Sequence, residues 1–189
     1  EGEWRYYFNF GKLESIYNYK EDKKDGEYKN FYENGNLEEE GQYKEDSLEG
    51  VLKTYSAIGV LTAEIEVKNN KKDGFTKFYH LNGNLKKVCN YVDNKLEGAY
   101  TQYYIDGKSV QEKSFYEKNK KIDYYISFYK NGDTKTIYTI DQNKIDGNYY
   151  EYGVNKNLLK ESKYNHGDIE SSIEYYNNGL LSEENIYEN

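Results

Sequence analysis

Proline and methionine are absent from the 189 residues, cysteine occurs once and histidine twice. Without proline, nothing in the chain need interrupt a hydrogen-bonded strand ladder. A lone Cys89 excludes both an internal disulfide and a cysteine-based zinc site, and is expected to be a small buried apolar side chain. His80 and His166 lie far apart at non-equivalent places, so neither a shared metal nor a cysteine–histidine pair is expected, and no cofactor either. No apolar run approaches the 18 or so residues of a membrane-spanning helix. Aliphatic residues are scarce too: Leu, Ile, Val and Phe make up only about a fifth of the chain, and a mean hydropathy of −1.14 borders on a disordered composition.

What the chain has in their place is tyrosine, with 25 copies. Tyrosine buries a large ring while its hydroxyl stays in water, so a thin sheet wet on both faces can be stabilised without a thick aliphatic core. The tyrosines recur on a fixed period. Aligned on Gly11, Gly35, Gly59, Gly83, Gly107, Gly132, Lys156 and Gly179, the spacings are 24, 24, 24, 24, 25, 24 and 23, the mark of a repeat array. Four residues earlier stand Tyr7, Phe31, Tyr55, Tyr79, Tyr103, Phe128, Tyr152 and Tyr175. Two residues later come Leu13, Leu37, Leu61, Leu85, then the exceptions Ser109 and Thr134, then Leu158 and Leu181. Eight residues later come Tyr19, Tyr43, Val67, Tyr91, Phe115, Ile140, Tyr164 and Tyr187. Repeats pack on their neighbours, so residues 1–189 are expected to form a single array rather than separate domains.

Each repeat reads as two strands. Gly26–Glu33 alternates and is rich in rings, Asn34-Gly35 is a hairpin signal, and Leu37–Lys44 returns. The following link, Glu45 to Gly50, recurs as Asp22–Gly26, Asn69–Gly74, Asp93–Gly98 and Asn143–Gly147, its closing glycine suited to a positive φ. Turn after turn makes a meander: an all-β, elongated, twisted, single-layer antiparallel ribbon of about eight 24-residue hairpins, on the order of 75 Å long at strand spacing. A three-residue loop of Asn34, Gly35 and Asn36 would gather Phe31, Leu37 and Tyr43 on one face; a two-residue loop would put Phe31 opposite. The former is preferred because it unites the three regular columns. The other face then carries Phe8, Tyr32, Ser56, His80, Tyr104, Tyr129, Gly153 and Tyr176, together with Trp4, Tyr28 and Tyr100.

Irregularity gathers in the fifth to seventh repeats. Ser109 and Val110 disturb the leucine column, Tyr124 replaces a link glycine, and the turn from Tyr152 to Asn157 lacks its glycine. A local change of twist and a ligand notch both fit this pattern. Asp141 to Gly147 has the look of a calcium loop, but its glycine falls at position seven and the closing glutamate is missing. No nucleophile elbow or phosphate-binding glycine loop occurs, and neighbouring carboxylates such as Glu38, Glu39 and Glu40 point to alternate faces, so no catalytic residues are expected. A net charge of −8 argues against nucleic acid and anionic membrane as partners. The chain begins at Glu1 without methionine, and the expectation is a removed start such as a signal or lipoprotein peptide, hence a surface or periplasmic location over a cytoplasmic one.

The run Phe31-Tyr32-Glu33-Asn34-Gly35-Asn36-Leu37-Glu38-Glu39-Glu40-Gly41-Gln42-Tyr43 resembles the MORN repeat in its bacterial variant, and weaker copies extend the resemblance over nearly the whole chain. It departs from the glycine-richer eukaryotic form, and the fifth to eighth repeats degrade the motif. The resemblance implies a hairpin array grouped with a YwqK-like antitoxin family and serving as a scaffold or interaction module. The expected function is therefore a non-catalytic, monomeric binding module for a protein or peptide, with Tyr32, Tyr104, Tyr129 and Tyr176 as its contact residues. An antitoxin covering a basic toxin, and an exported envelope protein, are the alternatives.

Overall fold

The computed structural model describes residues 1–187, and among them the chain holds sixteen strands and no helix. It divides into two compact units, Glu1–Lys95 and Leu96–Asn189. The first contains β1 (Gly2–Tyr7), β2 (Leu13–Lys20), β3 (Lys23–Phe31), β4 (Leu37–Lys44), β5 (Ser47–Tyr55), β6 (Leu61–Lys68), β7 (Lys71–Tyr79) and β8 (Leu85–Val92). The second contains β9 (Lys95–Tyr103), β10 (Val110–Glu117), β11 (Lys120–Phe128), β12 (Thr134–Asp141), β13 (Lys144–Tyr152), β14 (Leu158–Asn165), β15 (Asp168–Tyr175) and β16 (Leu181–Ile186). Within each unit every strand pairs antiparallel with its neighbour in sequence, as a meander requires.

Two kinds of turn alternate. In the hairpin turn, Gly35 N–H donates to the Tyr32 carbonyl at 2.8 Å and Tyr32 N–H to the Asn36 carbonyl at 2.9 Å, so the loop is Glu33, Asn34 and Gly35, one residue earlier than expected. Gly35 takes φ +88°, which closes a type I turn with a glycine bulge. Phe31 then faces Leu37, but Asn30 faces Glu39, so one extra residue enters β4. That bulge overturns the expected single stripe. Phe31 and Leu37 share one face with Lys29 and Glu40, whereas Tyr43 lies on the other with Tyr28 and Gly41. The same shift recurs at Tyr55 and Tyr79.

The face carrying Tyr28 and Tyr43 is the packed one. In the first unit, Tyr28, Ala63, Ile65, Val67, Thr76 and Cys89 are buried there, with Leu48, Leu52 and Phe78 against the aliphatic trio. Large side chains are set opposite small ones. The Tyr28 ring lies across Gly41, where an added Cβ would come within 2.9 Å of it, while at Thr76 and Cys89 two small buried side chains face each other. Tyr17 stacks on Tyr28 at 5.5 Å, and Lys24 holds its ammonium 3.8 Å from the Tyr17 ring centre. In the second unit the same face is built mainly from tyrosine and serine, with Ile140 buried opposite Ile145: Tyr100 lies opposite buried Ser114, Tyr149 opposite buried Ser162, and Tyr138 is stacked at 4.8 Å on Tyr125 and 5.6 Å on Tyr149.

Three positions need reassignment. The fifth hairpin holds one extra turn residue, because Tyr104 N–H bonds the Ser109 carbonyl, so Val110 rather than Ser109 faces Tyr103 and fills the leucine place. The strand after it is displaced by one, so Tyr116, 5.6 Å from Tyr100, fills the column expected of Phe115. The link-glycine place of the sixth repeat is held by Asp123, at φ +69°, and not by Tyr124.

The links are two-residue turns in which both residues have positive φ, as at Glu45 (48°) and Asp46 (66°). The second residue is Asp or Asn in nearly every link, and the reason is a bond to the preceding repeat. Asp46 N–H donates to the Lys24 carbonyl while Asp46 Oδ1 accepts Lys24 N–H, both at 2.8 Å or less. Asn70, Asn94, Asn119 and Asn143 make the same two-point contact to Leu48, Lys72, Leu96 and Lys121. Short polar side chains tolerate the left-handed conformation and supply the acceptor, which explains the choice of residue.

Candidate functional site

The hairpin-edge tyrosines proposed as contacts hold the repeats together through their hydroxyls. Tyr32 donates to the Tyr55 carbonyl at 2.7 Å, Tyr104 to the Phe128 carbonyl at 2.7 Å and Tyr129 to the Tyr152 carbonyl at 2.8 Å, and all three are part-buried. Tyr176 stands apart with 59% of its surface exposed. The four recur at equivalent places in different repeats and do not converge on one cavity. His166 lies beside Asn165 and Asp146 in a link turn, and among the described residues no group of three metal-ligating side chains comes together.

The other face, the open one, is where the surface varies. In the first unit Val51 and Phe75 occupy equivalent places in successive repeats, 48% and 61% exposed. Both line a hollow of about 210 Å³ with Glu64, Glu66 and Lys77, and Val51 also borders a second of about 260 Å³ that includes Lys29, Glu40, Gln42 and Lys53. These are large apolar side chains set among charges of both signs. The periodic columns did not flag them, because they occupy a column that other repeats fill with Glu27 or Asn148.

Along the same face runs a tyrosine–glutamate bond. Tyr55 donates to Glu40 at 2.7 Å, Tyr79 to Glu64 at 2.6 Å and Tyr175 to Glu161 at 2.9 Å. Lys29 and Lys77 lie 3.9 and 3.8 Å from the Glu40 and Glu64 carboxylates. Burial first, and the anionic partner second, push the Tyr55 and Tyr79 hydroxyls up to about 12.

The pattern lapses where Val88 holds the glutamate place ahead of Tyr103 and where Phe128 lacks a hydroxyl, and in the second unit it lapses again at Tyr152. Tyr152 keeps its position, but the glutamate is replaced by Ile137 and the leucine by Thr134. A cleft of about 450 Å³ opens there, lined by Gly132, Asp133, Thr134, Ile137, Tyr152 and Lys156. Lys156 holds the turn position that is glycine elsewhere, at φ +67°, and its ammonium reaches Asp133 Oδ1 at 2.9 Å. Asp133 Oδ2 also accepts from Asn131 Nδ2 at 2.9 Å. Among the described residues no group accepts a hydrogen bond from the Tyr152 hydroxyl. Two irregularities legible in the sequence, Thr134 and Lys156, thus meet in one cavity, while the third, Ile137, lay outside the aligned columns.

The MORN repeat variant matches residues 1–21, 24–45 and 72–93. No curated protein matches the chain significantly. Among solved structures, the crystal structure of TarM is 16% identical over 65% of this chain and 19% of that one, with a TM-score of 0.28. The Photorhabdus luminescens Tc holotoxin pore is 10% identical over 92% of this chain and 11% of that one, TM-score 0.25. The TcdB2-TccC3-Cdc42 crystal structure is 10% identical over 95% of this chain and 13% of that one, TM-score 0.22. The chain thus spans less than a fifth of the length of each.

Proposed function

We propose that this array of MORN-like hairpins is a non-catalytic scaffold that binds a protein or peptide through its open face. One observation carries the reading: the link Asp and Asn side chains and the hydroxyls of Tyr32, Tyr104 and Tyr129 bond neighbouring repeats, whereas on the open face Val51 and Phe75 stand exposed around a shared hollow. Exposed apolar side chains grouped at a hollow and rimmed by charge suit an anchor contact. Tyr176 is an added contact in this reading, and Tyr32, Tyr104 and Tyr129 form its hairpin edge. The experiment is affinity capture of partners by the full chain, eluted with a salt gradient and repeated with Tyr104→Ala and Tyr129→Ala together. Loss of a partner with the alanines but not with phenylalanine at both positions supports the ring contacts. Unchanged capture removes these tyrosines from the site.

A second reading follows from the net charge of −8: an antitoxin-like protein covering a basic partner. A partner released at moderate salt favours it. Retention through high salt favours the apolar anchors.

A further inference from the structure

We propose that the cleft between β12 and β13 binds a carboxylate carried on a short apolar stem, either an acidic side chain of a peptide or a small free acid. The regular repeats show the complement. There a glutamate carboxylate sits against a tyrosine hydroxyl, at 2.7 Å for Glu40 and 2.6 Å for Glu64, with a lysine ammonium at 3.9 and 3.8 Å. At Tyr152 the phenol donor remains and the carboxylate is gone, because Ile137 holds its place. Thr134, smaller than the leucine it replaces, leaves room beside it and adds a hydroxyl. The cleft's volume of about 450 Å³ falls in the range of small-ligand sites.

The ammonium comes from Lys156. Its side chain is 74% exposed and its bond is to Asp133, whose other oxygen is already held by Asn131. Lys156 can therefore turn toward an incoming anion by giving up one ion pair, to an Asp133 side chain that is 23% exposed. Phenol, hydroxyl and ammonium then meet the carboxylate, and Ile137 with the Tyr152 ring meets the stem. Asp133 opposes an anion, which sets a modest affinity and gives a test of sign. This site is separate from the Val51 and Phe75 surface and stands or falls without it.

The test is a nuclear magnetic resonance titration of the full chain with N-acetyl-glutamate N-methylamide, with butyrate, and with the neutral N-acetyl-glutamine N-methylamide. The expected result is saturable shifts at Thr134, Ile137 and Tyr152 with an acid, and binding at least tenfold weaker with the neutral amide. Saturation by the capped glutamate assigns the source to a peptide side chain; saturation by butyrate alone assigns it to a free acid. Tyr152→Phe should weaken binding roughly tenfold, the loss of one hydrogen bond to a charged group. Asp133→Asn should strengthen it. Ile137→Glu, which restores the repeat's own carboxylate, should abolish binding while the remaining resonances keep their positions. No saturable shift with either acid, or equal binding by the neutral amide and by Tyr152→Phe, overturns the proposal.

Discussion

The two units are built on one plan and differ in how they fill it. All three segments that match the MORN repeat variant lie in the first unit, where the packed face holds the aliphatic trio Ala63, Ile65 and Val67. The second unit buries fewer aliphatics, Ile140 among them, stacks more tyrosines over serines, and carries the extra residue at Tyr104–Ser109, Asp123 in the link-glycine place and the Lys156 turn. The difference teaches where variation is tolerated. Bonds between repeats are kept in both: the Asn70 contact to Leu48 in the first unit has its counterpart in the Asn143 contact to Lys121 in the second. What changes is the filling of each face, and there the cleft at Tyr152 arises.

The largest effect that would separate the units is core truncation. Ile65→Ala should cost about 2–4 kcal/mol in chemical denaturation, because a buried side chain is removed from a close-packed cluster. Ser162→Ala, in the equivalent column of the second unit, should change stability by about 1 kcal/mol or less, since only its 3.3 Å contact to Ser172 is lost. Similar values for the two would erase the contrast.

Next comes the link ladder. Asn70→Ala should cost about 2 kcal/mol, because the left-handed conformation is strained without Asn and Leu48 N–H loses its acceptor. The seventh link has Gly167 in that place, with room for a Cβ beside Lys144 at 3.5 Å. Its φ of +101°, however, lies outside the 63–72° that Asp and Asn take in the other links, so Gly167→Asn should destabilise the second unit, by about 1 kcal/mol, measured by thermal or chemical denaturation.

The smallest effect is alkaline. Tyr55 and Tyr79 in the first unit and Tyr149 in the second have hydroxyls pushed up to about 12, by burial first and by a neighbouring glutamate second. A raised folded value means the stabilisation is complete below the unfolded value of about 10 and is lost as pH climbs from there through 12. Phenolate absorbance should show these rings titrating later than exposed tyrosines, and stability should fall within that window. In Glu40→Gln the Tyr55 hydroxyl should ionise earlier.

Much of this was legible in the sequence, since period, turns and strand number all follow from spacing and from Asn-Gly and Asx residues. The face assignment was not. The bulge after Phe31 leaves no compositional mark, because the extra residue, Glu38, is one glutamate among three, yet it moves Tyr43 to the face opposite Phe31. Likewise Phe115 and Tyr116 both satisfy an aromatic column, and only the hydrogen bond from Tyr104 to Ser109 decides between them. Thr134 and Lys156 were visible as exceptions, but their meeting in one cavity depended on the register of β12 and β13. The exposed pair Val51 and Phe75 was hidden by ordinary residue types in an unaligned column.

The most direct test of the scaffold reading is to put charge on the open face without touching the packed one. In the double variant Val51→Lys, Phe75→Lys, both side chains already face solvent and the new ammonium groups lie beside Glu66, so stability should stay within about 1 kcal/mol of the parent. Capture of the partner by this variant, compared with the parent chain under the same salt gradient, is the measurement. Loss of capture with the fold intact is the predicted result; undiminished capture would contradict the open face as the binding surface.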